Sequence, residues 1–265
     1  MKISSPGGGE IFYEVLGQGP DLVLLHPFPV NHNFWKPVAT ALCDKFRIIL
    51  PDLRGHGESP GSEAPITMAQ HTADLLAVCN AAGVGRAIFG GVSIGGYVLF
   101  ELWRQNPARV AALILGDTKA SPDTPDSRAG RLQAADDVMQ RGMAEFFDSM
   151  IPKVVGETTR QRRPDLVAAI RQMMATNRAA GIAGVQRGMA ERPDSLPTLK
   201  TITAPALVLV GSEDTSTPIA DALLMNRQMP VSQILVIPGG GHYAVFEQPE
   251  TAAAMMRQFL LGLRL

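Results

Sequence analysis

The chain of 265 residues has little of what marks several specialised classes of protein. It holds only two cysteines, Cys43 and Cys79, which are too few for a disulfide scaffold or a zinc site. Both stand in apolar stretches, so we expect small buried side chains. Lysine and arginine number 24 against 25 acidic residues, and the basic residues form no long run, so a nucleic-acid partner is not expected.

Long apolar runs are also missing. No uncharged apolar stretch reaches the ~18–20 residues that a membrane span needs. The first residues, MKISSPGGGEIFYEV, lack the apolar core of a secretory signal. We therefore expect a cytoplasmic protein with no membrane partner. The composition, 46% hydrophobic and 18% charged, is that of a globular chain with a large core.

Short apolar runs alternate with helical patterns along most of the chain. The strand-like segments are 11–16, 22–26, 47–51, 86–90, 110–115, 206–210 and 233–237. The main helical patterns are 68–82, 95–105, 219–228 and 249–263. Several of the strand-like runs are continuously aliphatic, as strands covered on both faces are. The alternation predicts an α/β fold with a mostly parallel, twisted sheet covered by helices on both faces.

Residues 119–199 do not show this alternation of strand-like and helical segments. They contain no strand-like run, and they hold 12 of the 24 basic residues and six of the twelve methionines. A spacing of three or four runs through Leu132, Ala135, Met139, Met143, Phe146 and Met150. This spacing predicts one amphipathic helix, and a second is expected from Pro164 to Gly181. We predict a core made of 1–118 and 200–265, with 119–199 inserted as a helical lid.

A candidate nucleophile stands in the stretch Gly91-Val92-Ser93-Ile94-Gly95, between a strand-like run and a helical pattern. A tight strand-to-helix turn needs small residues two positions before and after the nucleophile, because the flanking backbone comes close to it. The pattern is not specific by itself, but its context fits. Ser93 is therefore predicted to be the nucleophile, at a helix N-terminus that favours negative charge.

A serine nucleophile needs a base and an acid that orients the base. His242 follows three glycines just after the last strand-like run, and we predict that it is the base. Asp214 follows the preceding run and is the preferred acid, because the order serine, aspartate, histidine is that of this architecture. Two alternatives stay open: Asp117, after the strand-like run 110–115, and Glu213, beside Asp214.

The oxyanion of a tetrahedral intermediate needs two N–H donors. The backbone N–H of Ile94, directly after the nucleophile, is one candidate. The other is expected in the loop after the run 22–26, where Pro27 and Pro29 have no N–H. Phe28 is therefore the predicted donor there.

These features together resemble the α/β-hydrolase fold superfamily over nearly the whole chain. The segments that carry the resemblance are HPFP at 26–29, PDLRGHGES at 51–59, GVSIG at 91–95, GSEDTSTP at 211–218, GH at 241–242 and EQPE at 247–250. Pro27 departs from the glycine that is usual in the family. Ser93 argues against relatives with an aspartate nucleophile, and the nearest resemblance is to 3-oxoadipate enol-lactonases and small bacterial carboxylesterases.

The resemblance implies a serine hydrolase that cleaves a carboxylic ester of a small, largely apolar acyl compound. A lactonase with the same three catalytic residues is the second candidate, followed by a C–C hydrolase, a perhydrolase or a non-catalytic small-molecule receptor. No cofactor and no metal is implied. Residues 119–199 carry 12 basic and 10 acidic residues, an excess too small to predict an anionic substrate.

Overall fold

A single eight-stranded sheet forms the centre of the molecule. The computed structural model describes residues 1–263. The strands are β1 (Lys2–Ser4), β2 (Glu10–Leu16), β3 (Asp21–Leu25), β4 (Arg47–Pro51), β5 (Ala87–Val92), β6 (Val110–Gly116), β7 (Ala206–Gly211) and β8 (Ser232–Ile237). Their order in the sheet is β1-β2-β4-β3-β5-β6-β7-β8. The pairs β1–β2 and β2–β4 are antiparallel, and all the others are parallel.

The burial of the strands explains their sequences. Every residue of β5 and β7 is buried, and β3 and β4 are buried apart from their first residues. Strands that are covered on both faces read as continuous aliphatic runs because neither face meets water. The edge strand β8 is only partly buried, and Val236 on it is 37% exposed.

Helices cover both faces of the sheet. They are α1 (Lys36–Leu42), α2 (Met68–Ala81), α3 (Ile94–Gln105), α4 (Pro125–Arg141), α5 (Ala144–Val154), α6 (Glu157–Arg162), α7 (Pro164–Ala175), α8 (Ala179–Ala190), α9 (Leu196–Leu199), α10 (Ile219–Gln228), α11 (Ala244–Glu247) and α12 (Pro249–Leu261). Short 3-10 helices span His32–Trp35 and Pro107–Arg109. Helix α1 packs against α12, and α2 packs against α3.

The predicted fold class is confirmed, and each predicted strand and main helix has a counterpart within a few residues. The strand β1 was not predicted, because three residues containing one apolar side chain give no periodic signal. The single helix expected through 132–150 is wrong. Gly142 lies in the left-handed region with φ +84° and separates α4 from α5.

The helix expected from Pro164 to Gly181 is wrong for a different reason. Helix α7 ends at Ala175, and Gly181 lies inside α8. Between the two helices, the Asn177 amide donates to the Pro29 carbonyl oxygen at 2.6 Å, and its oxygen accepts from the Gly57 N–H at 2.9 Å. A contact between distant parts of the chain therefore interrupts a helical pattern.

The two cysteines differ in their surroundings. Cys79 is fully buried, and burial raises its pKa to about 12, as expected for an inert apolar side chain. Cys43 is only half-buried at the end of α1, so the expectation of burial is wrong for it. Within residues 1–263, no helix is long and apolar enough to cross a membrane.

Candidate active site

The carboxyl ends of the parallel strands bring the predicted residues to one edge of the sheet. Strands β3, β5, β7 and β8 end just before the loops that carry Phe28, Ser93, Asp214 and His242. In α/β sheets this edge is where ligands bind, because the loops there converge from neighbouring strands. The loops are close in space although they span more than 200 residues of sequence.

Ser93 occupies a strained turn between β5 and α3. Its φ of 54° and ψ of −114° lie outside the regions that a residue with a side chain prefers. A Cβ atom on Gly91 would lie 2.5 Å from the carbonyl carbon of Gly95, and one on Gly95 would lie 2.7 Å from the Leu25 carbonyl oxygen. Only glycine fits at either position, which explains the spacing around the serine.

Two backbone amides of the site are candidate donors to an oxyanion. Ile94 is the first residue of α3, so its N–H has no partner within the helix. Phe28 lies across the site in the loop after β3, where its carbonyl oxygen accepts from the Tyr243 hydroxyl at 2.6 Å. Among residues 1–263, neither the Ile94 nor the Phe28 N–H donates to a protein acceptor.

His242 and Asp214 form a buried hydrogen-bonded pair. The His242 Nδ1 and Asp214 Oδ2 atoms are 2.9 Å apart, and the two residues are 6% and 5% exposed. Asp214 also accepts from the N–H groups of Ser216 and Thr217 and from the Thr217 hydroxyl, at 2.8, 3.0 and 2.6 Å. With four donors around it, the carboxylate has a fixed orientation.

The surroundings of Asp214 also determine its charge. Burial acts to raise its pKa, but the charge and hydrogen bond of His242 and the donors of Thr217 outweigh burial and lower it. Asp214 is therefore ionised at neutral pH, which favours a proton on the facing Nδ1 atom. The other ring nitrogen, Nε2, is then free to accept a proton.

The two alternative acids lie in different environments. Glu213 accepts from the backbone N–H of Thr158 at 2.9 Å and from its hydroxyl, so it binds the first turn of α6. Asp117 is 1% exposed at the end of β6; its Oδ1 accepts from the Gly211 N–H at 2.7 Å, and its Oδ2 has no partner. Burial and the nearby charge of Asp214 raise the pKa of Asp117 well above its usual value.

Sequence reasoning missed Thr217 and Glu247. The Thr217 hydroxyl lies 3.2 Å from the His242 Nδ1 atom as well as beside Asp214. The Glu247 carboxylate accepts from the backbone N–H groups of Gly241 and Gly156, both at 2.9 Å, and so ties the histidine loop to the start of α6. Glu247 stands in the EQPE segment that contributed to the family resemblance, but that resemblance did not assign a role to it.

Ser93 and His242 line one cavity of about 160 Å³. The core contributes Phe28, Ser93, Tyr97, Ser216, Thr217 and His242, and residues 119–199 contribute Lys119, Arg131, Met150, Lys153, Val154, Gln186 and Met189. In the described chain, no hydrogen bond joins the Ser93 hydroxyl to the His242 ring. Such bonds are often long in ligand-free enzymes and tighten when substrate binds.

The charge of the cavity wall differs from the expectation based on composition. An apolar pocket was expected, but three of the lining residues, Lys119, Arg131 and Lys153, are cationic. The nearly equal numbers of basic and acidic residues in 119–199 did not indicate this charge, because none of the acidic residues of that segment lines the cavity. Within residues 1–263, no group of three or more histidine, cysteine or acidic side chains is arranged to hold a metal ion.

Comparison with known proteins agrees with this architecture. 3-Oxoadipate enol-lactonase 1 of Acinetobacter baylyi is 26% identical to this chain, over 100% of this chain and 98% of that protein. The pimeloyl-[acyl-carrier protein] methyl ester esterase of Edwardsiella ictaluri is 29% identical, over 95% and 98% of the two chains. A thermophilic esterase from Thermogutta terrifontis, solved with malate bound, superposes with a TM-score of 0.96 at 39% identity and covers 100% of this chain and 99% of its own.

The sequence pattern of one family covers most of the chain. The pattern described as "Alpha/beta hydrolase family" matches residues 22–255, which include the turn at Ser93 and the loops of Asp214 and His242. The sheet order and the strained strand-to-helix turn agree with that match. The chain therefore belongs to the alpha/beta hydrolase family, as its motifs predicted.

Proposed function

We propose that this protein is a serine hydrolase that cleaves a carboxylic ester of a small acyl compound through Ser93, His242 and Asp214. The observation that carries the proposal is the 2.9 Å contact between His242 and an ionised, buried Asp214, beside a cavity that Ser93 also lines. A serine next to a base that is itself oriented by an acid is the arrangement that nucleophilic acyl transfer requires.

The enzyme class rests on the relatives. They are named as an enol-lactonase, a methyl ester esterase and an esterase, all of which act on ester bonds. The prediction of an enzyme that acts on ester bonds is thereby confirmed. The choice of catalytic residues and of substrate is our proposal.

In the proposed acylation step, the Ser93 oxygen attacks the ester carbonyl carbon while His242 Nε2 takes the serine proton. Asp214 holds the ring through Nδ1 and stabilises the imidazolium that forms. The C–O bond to the alcohol then breaks, and Nε2 returns the proton to the leaving oxygen. A water molecule attacks the acyl-enzyme by the same route, which releases the acid and restores Ser93.

The oxyanion of each tetrahedral intermediate is proposed to bind to the backbone N–H groups of Ile94 and Phe28. Both amides lack a protein acceptor in the described chain, and both are held by buried backbone. Donors that are fixed before the reaction stabilise the developing charge without reorganisation. The Tyr243 hydroxyl bound to the Phe28 carbonyl oxygen helps to fix the loop.

Residues 119–199 are proposed to act as the lid of this cavity. Seven of the lining residues come from this segment, and the remainder come from the core. The contacts of Glu213 with Thr158 and of Glu247 with Gly156 attach the segment to the loops of Asp214 and His242. A small enclosed volume suits a short acyl chain better than a long one.

The test is hydrolysis of p-nitrophenyl acetate by the wild type and by Ser93→Ala. We expect a rapid burst of p-nitrophenol followed by steady turnover in the wild type, and loss of both in the variant, as acyl-enzyme formation requires. Ser149→Ala, at an exposed position of α5, is the control and should behave as the wild type. Equal release by wild type and Ser93→Ala would contradict the proposal.

A lactonase is the second candidate, because the enol-lactonase named above matches the whole chain. The same residues would open a cyclic ester, and the alcohol would remain attached to the acid. Measurement of kcat/KM for matched lactones and open-chain esters separates the two functions. A preference for lactones by orders of magnitude would favour this reading, and equal values would exclude it.

A further inference from the structure

Cationic side chains line the cavity beside the candidate nucleophile. Lys119, Arg131 and Lys153 all contribute to its wall, and no aspartate or glutamate of the described chain is among the lining residues. An enclosed space with one sign of charge attracts ligands of the opposite sign, because field lines concentrate between low-dielectric walls. The question is which of the three charges remain available to a ligand.

Arg131 is already held by protein groups. Its Nε donates to Asp123 at 2.6 Å, and its Nη1 reaches the Gln186 side-chain oxygen at 3.3 Å. Asp123 also faces the guanidinium of Arg192 at 2.5 Å. One carboxylate thus pairs with two guanidinium groups. These three side chains together keep a net positive charge.

Arg192, the second partner of Asp123, is itself held by other groups. The guanidinium of Arg192 lies over the ring of Tyr97, 4.5 Å from the ring centre, and donates to the Ser121 carbonyl oxygen at 2.9 Å. Tyr97 itself lines the cavity. Arg131 is therefore a fixed part of the wall, and a ligand would meet it without displacing Asp123.

Lys119 and Lys153 are free of such pairing. In the chain from 1 to 263, neither ammonium group has a carboxylate within 4.0 Å. Lys119 is half-buried and Lys153 is exposed. Burial raises the pKa of Asp221 overall although the nearby charge of Lys119 acts to lower it, and no salt bridge joins the two residues. Two lysines of the cavity wall thus have no salt-bridge partner in the described chain.

We propose that the substrate of this site is a small ester that carries a second, negatively charged carboxylate, which Lys119 and Lys153 bind. This inference rests on the proposed ester hydrolysis at Ser93. The cavity volume of about 160 Å³ limits the substrate to a few carbons between the two ends. Hydrolysis consumes one water, breaks the ester C–O bond and yields an alcohol, a dicarboxylate and one released proton.

The test compares two esters of similar shape that differ in charge. Monomethyl succinate carries a carboxylate where methyl 4-oxopentanoate carries a neutral acetyl group. We expect kcat/KM, corrected for the alkaline hydrolysis rate of each ester, to favour monomethyl succinate by about tenfold or more. About 0.5 M sodium chloride should reduce this preference, because salt screens the attraction.

Variants connect the preference to the lysines. Lys119→Met and Lys153→Met each keep most of the apolar stem and remove the charge, so each should lower the charged-to-neutral ratio severalfold, mainly through KM. The double variant should lower the ratio to about one or below. Lys45→Met, at an exposed loop before β4, is the matched control and should keep the wild-type ratio.

The outcomes separate this inference from the proposed function. A wild-type ratio near one, or a ratio that the double variant leaves unchanged, overturns the inference while the Ser93-dependent burst still stands. Loss of that burst overturns the function itself. If neither methyl ester turns over, inhibition of p-nitrophenyl acetate hydrolysis decides: monomethyl succinate must inhibit at about one tenth of the concentration of the neutral ester, or the inference is wrong.

Discussion

Two aspartates at neighbouring strand ends make an instructive contrast. Asp214 follows β7 and Asp117 follows β6, and both carboxyl groups are almost completely buried. Asp214 accepts from three protein donors besides His242, whereas Asp117 accepts from the Gly211 N–H alone. The pKa of Asp214 is lowered by His242 and Thr217 in spite of burial, and that of Asp117 is raised by burial and by Asp214.

Residue type and burial therefore do not decide which carboxyl group is charged. The hydrogen-bond donors and the histidine decide it, because only they compensate the cost of removing a negative charge from water. Asp117 is adapted to hold a proton beside Asp214, and Asp214 is adapted to hold the imidazolium. The contrast supports Asp214 as the catalytic acid, and it can be tested at three points.

The largest effect is expected from Asp214→Asn. If the asparagine NH₂ group faced the His242 Nδ1 atom, the ring proton would move to Nε2, which could then not act as the base. If the asparagine oxygen faced Nδ1, the imidazolium would have no negatively charged partner. We expect kcat for p-nitrophenyl acetate to fall by about 10⁴-fold. Steady-state kinetics with Asp117→Asn prepared in parallel checks the assignment. A larger loss in Asp117→Asn would reverse it.

A smaller effect is expected from Thr217→Val, which keeps the side-chain shape and removes the hydroxyl beside Asp214 and His242. Loss of one hydrogen bond to a charged group costs about 1.5–3 kcal/mol, so kcat/KM should fall by between about tenfold and about 150-fold. Thr215→Val, two residues earlier and exposed, should leave kcat/KM as it is. Equal kinetics of both variants would show that the Thr217 hydroxyl does not support the pair.

The smallest effect on activity is expected from Asp117→Asn, whose kcat/KM should stay within about threefold of wild type, since the asparagine oxygen can still accept from Gly211. The effect on stability should depend on pH. The pKa of the Asp117 carboxyl group is higher in the folded protein than in the unfolded chain. Its contribution to stability is therefore complete at pH values below the pKa in the unfolded chain, and it is lost as the pH rises through the pKa in the folded protein. The variant has no such loss.

Denaturation by urea at about pH 5 and about pH 9 measures this difference. The free energy of unfolding of Asp117→Asn relative to wild type should be greater at the higher pH. A difference that stays constant with pH would mean that Asp117 does not hold a proton in the folded protein, and the contrast with Asp214 would then be reduced to hydrogen bonding alone.

Local patterns predicted most of the framework. The aliphatic runs marked the strands because burial on both faces selects them, and the glycines around Ser93 marked the turn because their Cβ atoms would collide with nearby backbone. Both of the wrong helix predictions lie in residues 119–199. Gly142 divides a periodic pattern into two helices, and Asn177 ends a helix through contacts with Pro29 and Gly57.

The roles around the candidate site divide in the same way. Spacing and order in the sequence were enough to propose Ser93, Asp214 and His242, because strand ends and glycine-rich turns can be recognised from short stretches of sequence. Thr217 and Glu247 could not be proposed in this way, because their importance depends on which groups of other loops they face. In the sequence, each of them is an ordinary polar residue with no pattern around it that indicates a role.

The amino-acid sequence by itself determined the fold class, the family and the three residues proposed for catalysis, because each leaves a pattern within a short stretch. Only the tertiary structure decided which aspartate is ionised and what charge the cavity presents. Lys119 and Lys153 lie 34 positions apart in a segment with nearly equal numbers of both charges. Folding separates those charges: it pairs some carboxylates elsewhere and leaves two lysines without salt bridges in the cavity wall, and no local pattern in the sequence predicts that separation.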